Sequence, residues 1–404
     1  MSVADYVPAV AETRRQAAGL DLSGPVLAAT GLFLVALICL PIGWLVAFAF
    51  ASREGAPTLA NFEALLLDPT LSEPLFTTMS LSLMVAVSAV IAATPLAWLV
   101  AATDLPGRRL VRMLMTASFV TPPFLGAIAW EILAAPNSGI INKLWRDLTG
   151  AQDALIDIYT FAGLVFVITT YTAPYVFIVV TNAIDRIPAD LEDAAGILGA
   201  SRTRIVLGIT LPLVLPALLA GALIAFLQAM TLFGSPAILA IPAGFHTVTT
   251  KIYSLFQFPP KPQLAAAAAL PLLVVTVMLL WLQARILGRR GYAVLGGKNS
   301  EPRLTPLGVW RWPALLFVLC VLALPLFLPY LALLKAAFSR IASGPLSPGN
   351  LTLENFTFVF LEFSQTQRAF TNTFVLALAT ACVGALLALI LPGLGWRPPG
   401  SSWV

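Results

Sequence analysis

The sequence predicts an all-α integral membrane protein. Three observations predict it: a very apolar composition, a series of long charge-free runs, and basic residues gathered on alternate loops. Of 404 residues, 59% are hydrophobic and 10% are charged, with a mean hydropathy of +0.91. A soluble domain is far less apolar. The charge-free runs are Gly24–Phe50, Leu75–Thr103, Met113–Trp130, Ile158–Ile184, Ile205–Thr250, Gln263–Ala284, Trp312–Leu334 and Ala369–Trp396. Each is near or above the roughly 20 residues that cross hydrocarbon as a helix, so eight spans are expected.

The elements follow in order. Residues 1–23, with Arg14 and Arg15, match neither a short cleavable leader nor a folded domain. Gly24–Phe50 is longer than a signal-peptide core and no A-x-A site follows it, which makes it a retained anchor. The run Ile205–Thr250 is too long for one helix and contains the breakers Gly234-Ser235-Pro236 and Ile241-Pro242-Ala243-Gly244. It reads as one span followed by irregular backbone near the outer face, tolerated at membrane depth only under cover of protein or beside a water-filled cavity. Cys39, Cys320 and Cys382 fall inside spans and read as small buried hydrophobes.

With the N-terminus cytoplasmic, the segments 1–23, 104–112, 185–204, 285–311 and the C-terminal tail face the cytoplasm and hold 15 of the 23 Lys and Arg. The positive-inside rule therefore predicts both termini in the cytoplasm.

The chain also repeats itself. "TLANF" (Thr58–Phe62) recurs 294 positions later as "TLENF" (Thr352–Phe356), and in the same register Phe76-Thr77 aligns on Phe370-Thr371. Each copy lies between one span and the next on the same predicted side. The expected organisation is a cytoplasmic segment 1–23, a first half 24–290 with six spans, a cytoplasmic linker 291–311 and an incomplete second half 312–404 with two. The second half stops two spans in. Its final "LPGLGWRPPGSSWV" breaks the pattern of the first copy, with Pro398-Pro399-Gly400 unable to extend a helix. The expectation is a truncation or frame disruption, or completion by another chain or a second copy.

Chemistry-bearing motifs are few. "GGKNS" (Gly296–Ser300) is a near miss for a phosphate loop, because Tyr292 stands in place of the first Gly and Asn299 follows the Lys. His246 is the only histidine and has no ligand partner near it in sequence, so no metal cage or catalytic triad can be assembled. No cofactor is expected, no nucleic-acid partner, and no catalysis by this chain.

The loop before the fifth span carries the strongest signal. Asp193-Ala194-Ala195 is followed after three residues by Gly199 and after nine more by Ile209-Thr210-Leu211-Pro212. This resembles the loop E-A-A-x3-G-x9-I-x-L-P of the permease subunits of type I ABC importers. Every spacing holds, and the one departure, Asp193 for Glu, leaves Glu192 as an acidic neighbour. Ala and Leu favour a short helix over about Leu191–Leu198, and Gly199 permits a sharp turn and a close approach by another backbone. A second helix starts at about Ser201, carrying Arg202 and Arg204 outward, and Pro212 sets the angle of the next span. Two short helices at an angle form a knob suited to a groove on a soluble subunit.

Further stretches look like fused double permeases for ferric iron: "DLPGRR" (Asp104–Arg109), "TPPF" (Thr121–Phe124), "FGSPAIL" (Phe233–Leu239) and "TTKIYSLFQFPPKPQLAAAAALPLL" (Thr249–Leu273). The resemblance covers nearly all of residues 25–390. It implies the type I importer permease fold in a bacterial inner membrane. It also implies ATPase subunits docked on the cytoplasmic knob and a periplasmic or extracellular solute-binding protein outside, with ferric iron as the solute. A phosphonate, thiamine or polyamine permease is the rival within the class. An ion-driven carrier is the rival outside it, disfavoured because such a carrier has no ATPase to dock.

Candidate pathway residues are Glu131 at the outer end of the third span, Tyr171, Thr172 and Tyr175 in the fourth, and Gln228 and Thr231 in the fifth. Glu131 reads equally as a pathway charge or an interfacial one. The others line a polar path or serve interhelical hydrogen bonds.

Overall fold

The computed structural model describes residues 23–287, 304–345 and 347–393. The "GGKNS" near miss, almost all of segment 1–23, most of the linker and the tail from residue 394 lie outside them.

The described chain is helical. In order run α1 (Ser23–Ala49), α2 (Ala60–Leu67), α3 (Pro69–Ala102), α4 (Arg108–Ser118), α5 (Pro123–Ala134), α6 (Ile140–Thr149), α7 (Phe161–Ile184), α8 (Ala189–Ile197) and α9 (Arg202–Ile205). Then follow α10 (Leu211–Thr231), α11 (Gly234–Leu239), α12 (Val248–Leu255), α13 (Pro262–Leu287), α14 (Arg311–Leu322), α15 (Leu328–Ala337), α16 (Glu354–Thr357) and α17 (Ser364–Gly393). Residues 45–362 form one compact unit. The described residues of the other are the start of α1, to Trp44, and the segment from Phe363 through α17, whose side chains are mostly exposed.

Local chemistry sets the ends. Asp68 accepts the Thr70 N–H at 2.9 Å and Pro69 occupies the first helical position, so α3 starts six residues before the predicted Leu75. Thr160 caps α7 through the Gly163 N–H, and Thr247 with Thr250 forms a reciprocal cap on α12. Within the spans, the hydroxyls of Thr78, Ser82, Thr94, Thr172 and Thr276 each donate to the carbonyl four residues back. These hydroxyls are thereby satisfied within their own helices. Two spans contain a π-helical turn, Val206–Thr210 and Ala323–Phe327, in which Leu211 donates to Val206 and Leu328 to Ala323. Each is followed by a proline, Pro212 or Pro329, whose missing N–H interrupts the ordinary ladder. Pro212 therefore lies inside one continuous helix from Arg202 to Thr231 instead of at the head of a new one.

The core is built on α3, α7 and α10. Ala86, Ala89, Ala93 and Ala97 on α3 and Gly221 on α10 let these helices approach closely, and a Cβ on Gly221 would sit 3.1 Å from Val176. Val318 and Leu322 of α14 join this cluster, and Ala332 of α15 joins a second one with α5, α7 and α11. The three cysteines are exposed on the protein surface, which corrects the expectation of buried ones: each points away from the packed helix faces.

Among the described residues, seven helices are long and apolar enough to cross a membrane. The third predicted span, Met113–Trp130, is not one helix. It is α4 and α5 meeting at 99° across Phe119–Pro122, because Pro122 and Pro123 together remove two ladder donors. The pair still carries the chain from one side to the other. Thr103 bridges to Thr305, and the Leu307 N–H donates to Asp104 at 2.7 Å, at the start of the Gly308–Ala337 helix. Past the other end of that helix, Lys143 of α6 donates to the Ser343 carbonyl at 2.7 Å. Residues 103–107 and α6 thus neighbour opposite ends of one spanning helix, and the broken pair makes an eighth crossing.

Candidate functional site: a projecting knob and a broken span

The motif loop folds into a knob. α8 holds Glu192, Asp193, Ala194 and Ala195; the side chain of Glu192 lies outside the described residues. Leu198 N–H donates to Ala194 O and Ala200 N–H to Ala195 O, closing the helix around Gly199 at φ +83°. That left-handed value is why glycine stands there. Among the described residues, nothing beyond its own turn lies within 4 Å of where a Gly199 Cβ would be. Beside it, Ile197 and Leu198 are 87% and 86% exposed, two large apolar side chains on a projecting turn. Ile209 is half-buried, and Leu211 and Pro212 are exposed at the root of the knob. Arg112 of α4 pairs with Asp185, just after α7, at 2.8 Å, which ties the base of the loop to the helix carrying Arg108 and Arg109.

The predicted pathway residues do not form one cluster. Glu131 accepts the Tyr159 hydroxyl at 2.6 Å. Burial first, and this bond second, push the Tyr159 phenol up to about 12. Tyr171 is buried, its ring packed so tightly on α5 that a Cβ on Gly126 would overlap it, and its hydroxyl has no partner among the described residues. Tyr175 packs against Phe119 with ring centroids 4.4 Å apart and the ring planes tilted by 52°. Thr172 donates within its own helix to Ile168 and Thr231 to Leu227, so the interhelical bonds expected of them are not made. Helical threonines reach the carbonyl one turn back more easily than a neighbouring helix. Gln228 and Thr231 are exposed on α10.

The break in the third span gathers what those residues did not. Phe119 meets Tyr175, Thr121 shares a 2.9 Å hydrogen bond with Tyr330 of α15, and Ser235 of α11 donates to the Pro123 carbonyl at 2.9 Å. Phe124 lies against Gly234, where a Cβ would come within 2.6 Å of it. Phe119, Val120 and Phe124 remain exposed. Irregular backbone at membrane depth, contacted by α7, α11 and α15, is the usual setting of a transport site. Tyr330 and Phe119 were not singled out from the sequence, and Thr121 only as the start of "TPPF", though the Pro122-Pro123 pair was a legible breaker.

His246 sits in the turn before α12, its ring 3.3 Å from the Thr250 hydroxyl. Burial, then Lys251, lowers its pKa.

The packed helices of residues 45–362, with a projecting loop at one end, are those of a multi-pass membrane protein. Residues 93–291 match the family described as "Binding-protein-dependent transport system inner membrane component", the permease domain of type I ABC importers. In this family the ATPase is a separate subunit. Relatives of the chain include the molybdenum transport permease ModB of Escherichia coli K12, 29% identical over 196 residues, 47% of this chain and 83% of ModB. The spermidine/putrescine permease PotB of Salmonella typhimurium LT2 is 28% identical over 210 residues, 50% of this chain and 71% of PotB. The ferric permease FbpB of Actinobacillus pleuropneumoniae is 28% identical over 182 residues, 45% of this chain and 26% of FbpB. A bacterial alginate ABC transporter chain, solved with a pentasaccharide-bound periplasmic protein, superposes with a TM-score of 0.56 at 19% identity. The superposition covers 66% of this chain and 94% of that one, and it shows the shared fold.

Proposed function

We propose that this chain lets a small solute cross the membrane, delivered by a solute-binding protein on the far side from the knob and driven by an ATPase docked on residues 192–212. The observation that carries the coupling reading is the pair Ile197 and Leu198. They are large, apolar and almost fully exposed beside a left-handed Gly199, on the loop whose spacing matches the family motif. Two such side chains on a rigid turn suit a groove on a soluble partner. The basic cluster Arg108, Arg109 and Arg112 at the same end supports a cytoplasmic knob and a cytoplasmic N-terminus. Hydrolysis belongs to the partner, and the chain itself catalyses no reaction. The similarity to FbpB keeps ferric iron as the proposed solute, with a polyamine or an oxyanion such as molybdate as the rivals that PotB and ModB suggest. The matched geometry around Asn61 and Asn355 supports two halves related by repetition.

The test is direct. Ile197→Asp and Leu198→Asp leave the fold intact because neither side chain is packed, and each should abolish co-purification of the ATPase. Retained ATPase association in the double variant would remove the coupling role from this loop.

A further inference from the structure

We propose that the break at Phe119–Phe124 is a passage point selective for positively charged solutes. This rests on the permease reading above and adds the class of solute.

The donor inventory of the break is unusual. Pro122 and Pro123 have no N–H. The N–H groups of Phe119, Val120 and Thr121 are used within the turn, on Thr116, Ala117 and Ser118. Those of Leu125 and Gly126 both return to the Pro122 carbonyl. Only Phe124 keeps a backbone N–H without a partner among the described residues, so the first turn of α5 cannot cradle an anion as an ordinary helix start does. The acceptor side is the opposite. The carbonyls of Phe119, Val120 and Thr121 receive no hydrogen bond from any described residue. They lie where the negative end of α4 meets the positive end of α5, so the two helix dipoles offset each other and the local carbonyls dominate. The exposed side chains at the break are Phe119, Val120, Pro122 and Phe124, all without a charge or a donor, and Phe119 leans on the ring of Tyr175. Aromatic faces attract cations, most strongly where water is excluded. Glu131 lies two turns along α5 from the break and is engaged by the Tyr159 hydroxyl, so the selectivity rests on the break itself. Carbonyl oxygens and ring faces suit a metal ion or an organic ammonium. An oxyanion finds one N–H.

Val120 is 77% exposed at the centre of the break, and a thiol there reports on both access and charge. The full-length chain carrying Val120→Cys, with Cys39, Cys320 and Cys382 replaced by alanine, is reacted in open membrane fragments with a trimethylammonium and a sulfonate methanethiosulfonate reagent. Val309→Cys, on a residue 90% exposed, serves as the reference for intrinsic reagent reactivity. The expected result is reaction at position 120 with the cationic reagent favoured about tenfold over the reference ratio. Equal or reversed preference with good reactivity would overturn the cation selectivity and leave the pathway reading standing. No reaction with either reagent, while Val309→Cys reacts, would overturn both.

Discussion

Asn61 and Asn355, 294 residues apart, hold the chain in the same way. Asn61 Nδ2 donates to the carbonyls of Ala49 and Ala51 at 3.0 and 2.9 Å, and Asn355 Nδ2 donates to those of Ala337 and Ser339 at 3.0 and 2.9 Å. Around each, a residue of the preceding turn bridges back, Ala51 to Pro57 and Ser339 to Leu351. Phe50 packs on Phe62 at 4.8 Å as Phe338 packs on Phe356 at 5.0 Å. Thr58 and Thr352 each accept from the N–H two residues on. The second turn is six residues longer between its bridge partners, and the extra length loops out without disturbing the clamp. Each asparagine ties the carbonyls at the end of one span to the start of the next short helix, which fixes how the chain re-enters the membrane.

Asn61→Ala, which strips two part-buried carbonyls of their donor, should cost about 1–3 kcal/mol, and Asn355→Ala, one of whose two bonds is exposed, should cost less. Thermal unfolding in detergent, followed by tryptophan fluorescence, checks this. Because the geometries match and the burial does not, both variants should lose stability, Asn61→Ala the more. A large loss at one site with none at the other would mean that the shared geometry does not carry shared energetics.

Much of this was legible beforehand. Five residues of repeat located the clamp, because a capping threonine, a packing phenylalanine and a bridging asparagine must keep their spacing to work. The long runs gave the spans, since hydrocarbon admits little else. The broken third span was missed because run length ignores what Pro122-Pro123 does to the ladder. The role of Tyr171 was missed for another reason. A hydroxyl in a span looks like a pathway group, and nothing local reveals that a glycine 45 positions earlier has made room for its ring.

Gly126→Ala tests that packing. A Cβ would lie 1.9 Å from the Tyr171 ring, so the ring or α5 must move. Overpacking of this kind costs about 1–3 kcal/mol. Adding Tyr171→Val, which vacates the space, should restore most of the lost thermal stability. Failure of the double variant to recover would place the clash elsewhere.

Gly199 offers a cleaner separation of causes. Its surroundings are empty, so substitution acts through φ alone. Gly199→Val should cost about 1–2 kcal/mol locally and misalign the knob, whereas Gly199→Asn, which tolerates the left-handed region, should cost much less. ATPase stimulation measured for both variants should fall strongly for valine and weakly for asparagine. Equal losses would point to a partner surface pressed against position 199 instead of to the turn.

Tyr159 and Glu131 give a prediction in pH. The phenol is held up to about 12 against an ordinary 10.0, with burial the larger cause and the hydrogen bond to the Glu131 carboxylate the next. A group whose folded pKa is raised contributes stability that is fully present below its unfolded value and is lost as pH rises through its folded one. The native state should therefore lose stability between pH 10 and about 12 by an amount that Tyr159→Phe does not lose. At neutral pH that variant should cost about 1 kcal/mol, the net value of one hydrogen bond. The ranking of causes makes a second variant informative. Glu131→Gln keeps an oxygen acceptor for the hydroxyl and removes only the charge, so the ionisation of Tyr159, followed as phenolate absorbance against the Tyr159→Phe background, should move part of the way down and remain above 10. A return to the ordinary value would mean that the carboxylate, and not burial, governs this residue.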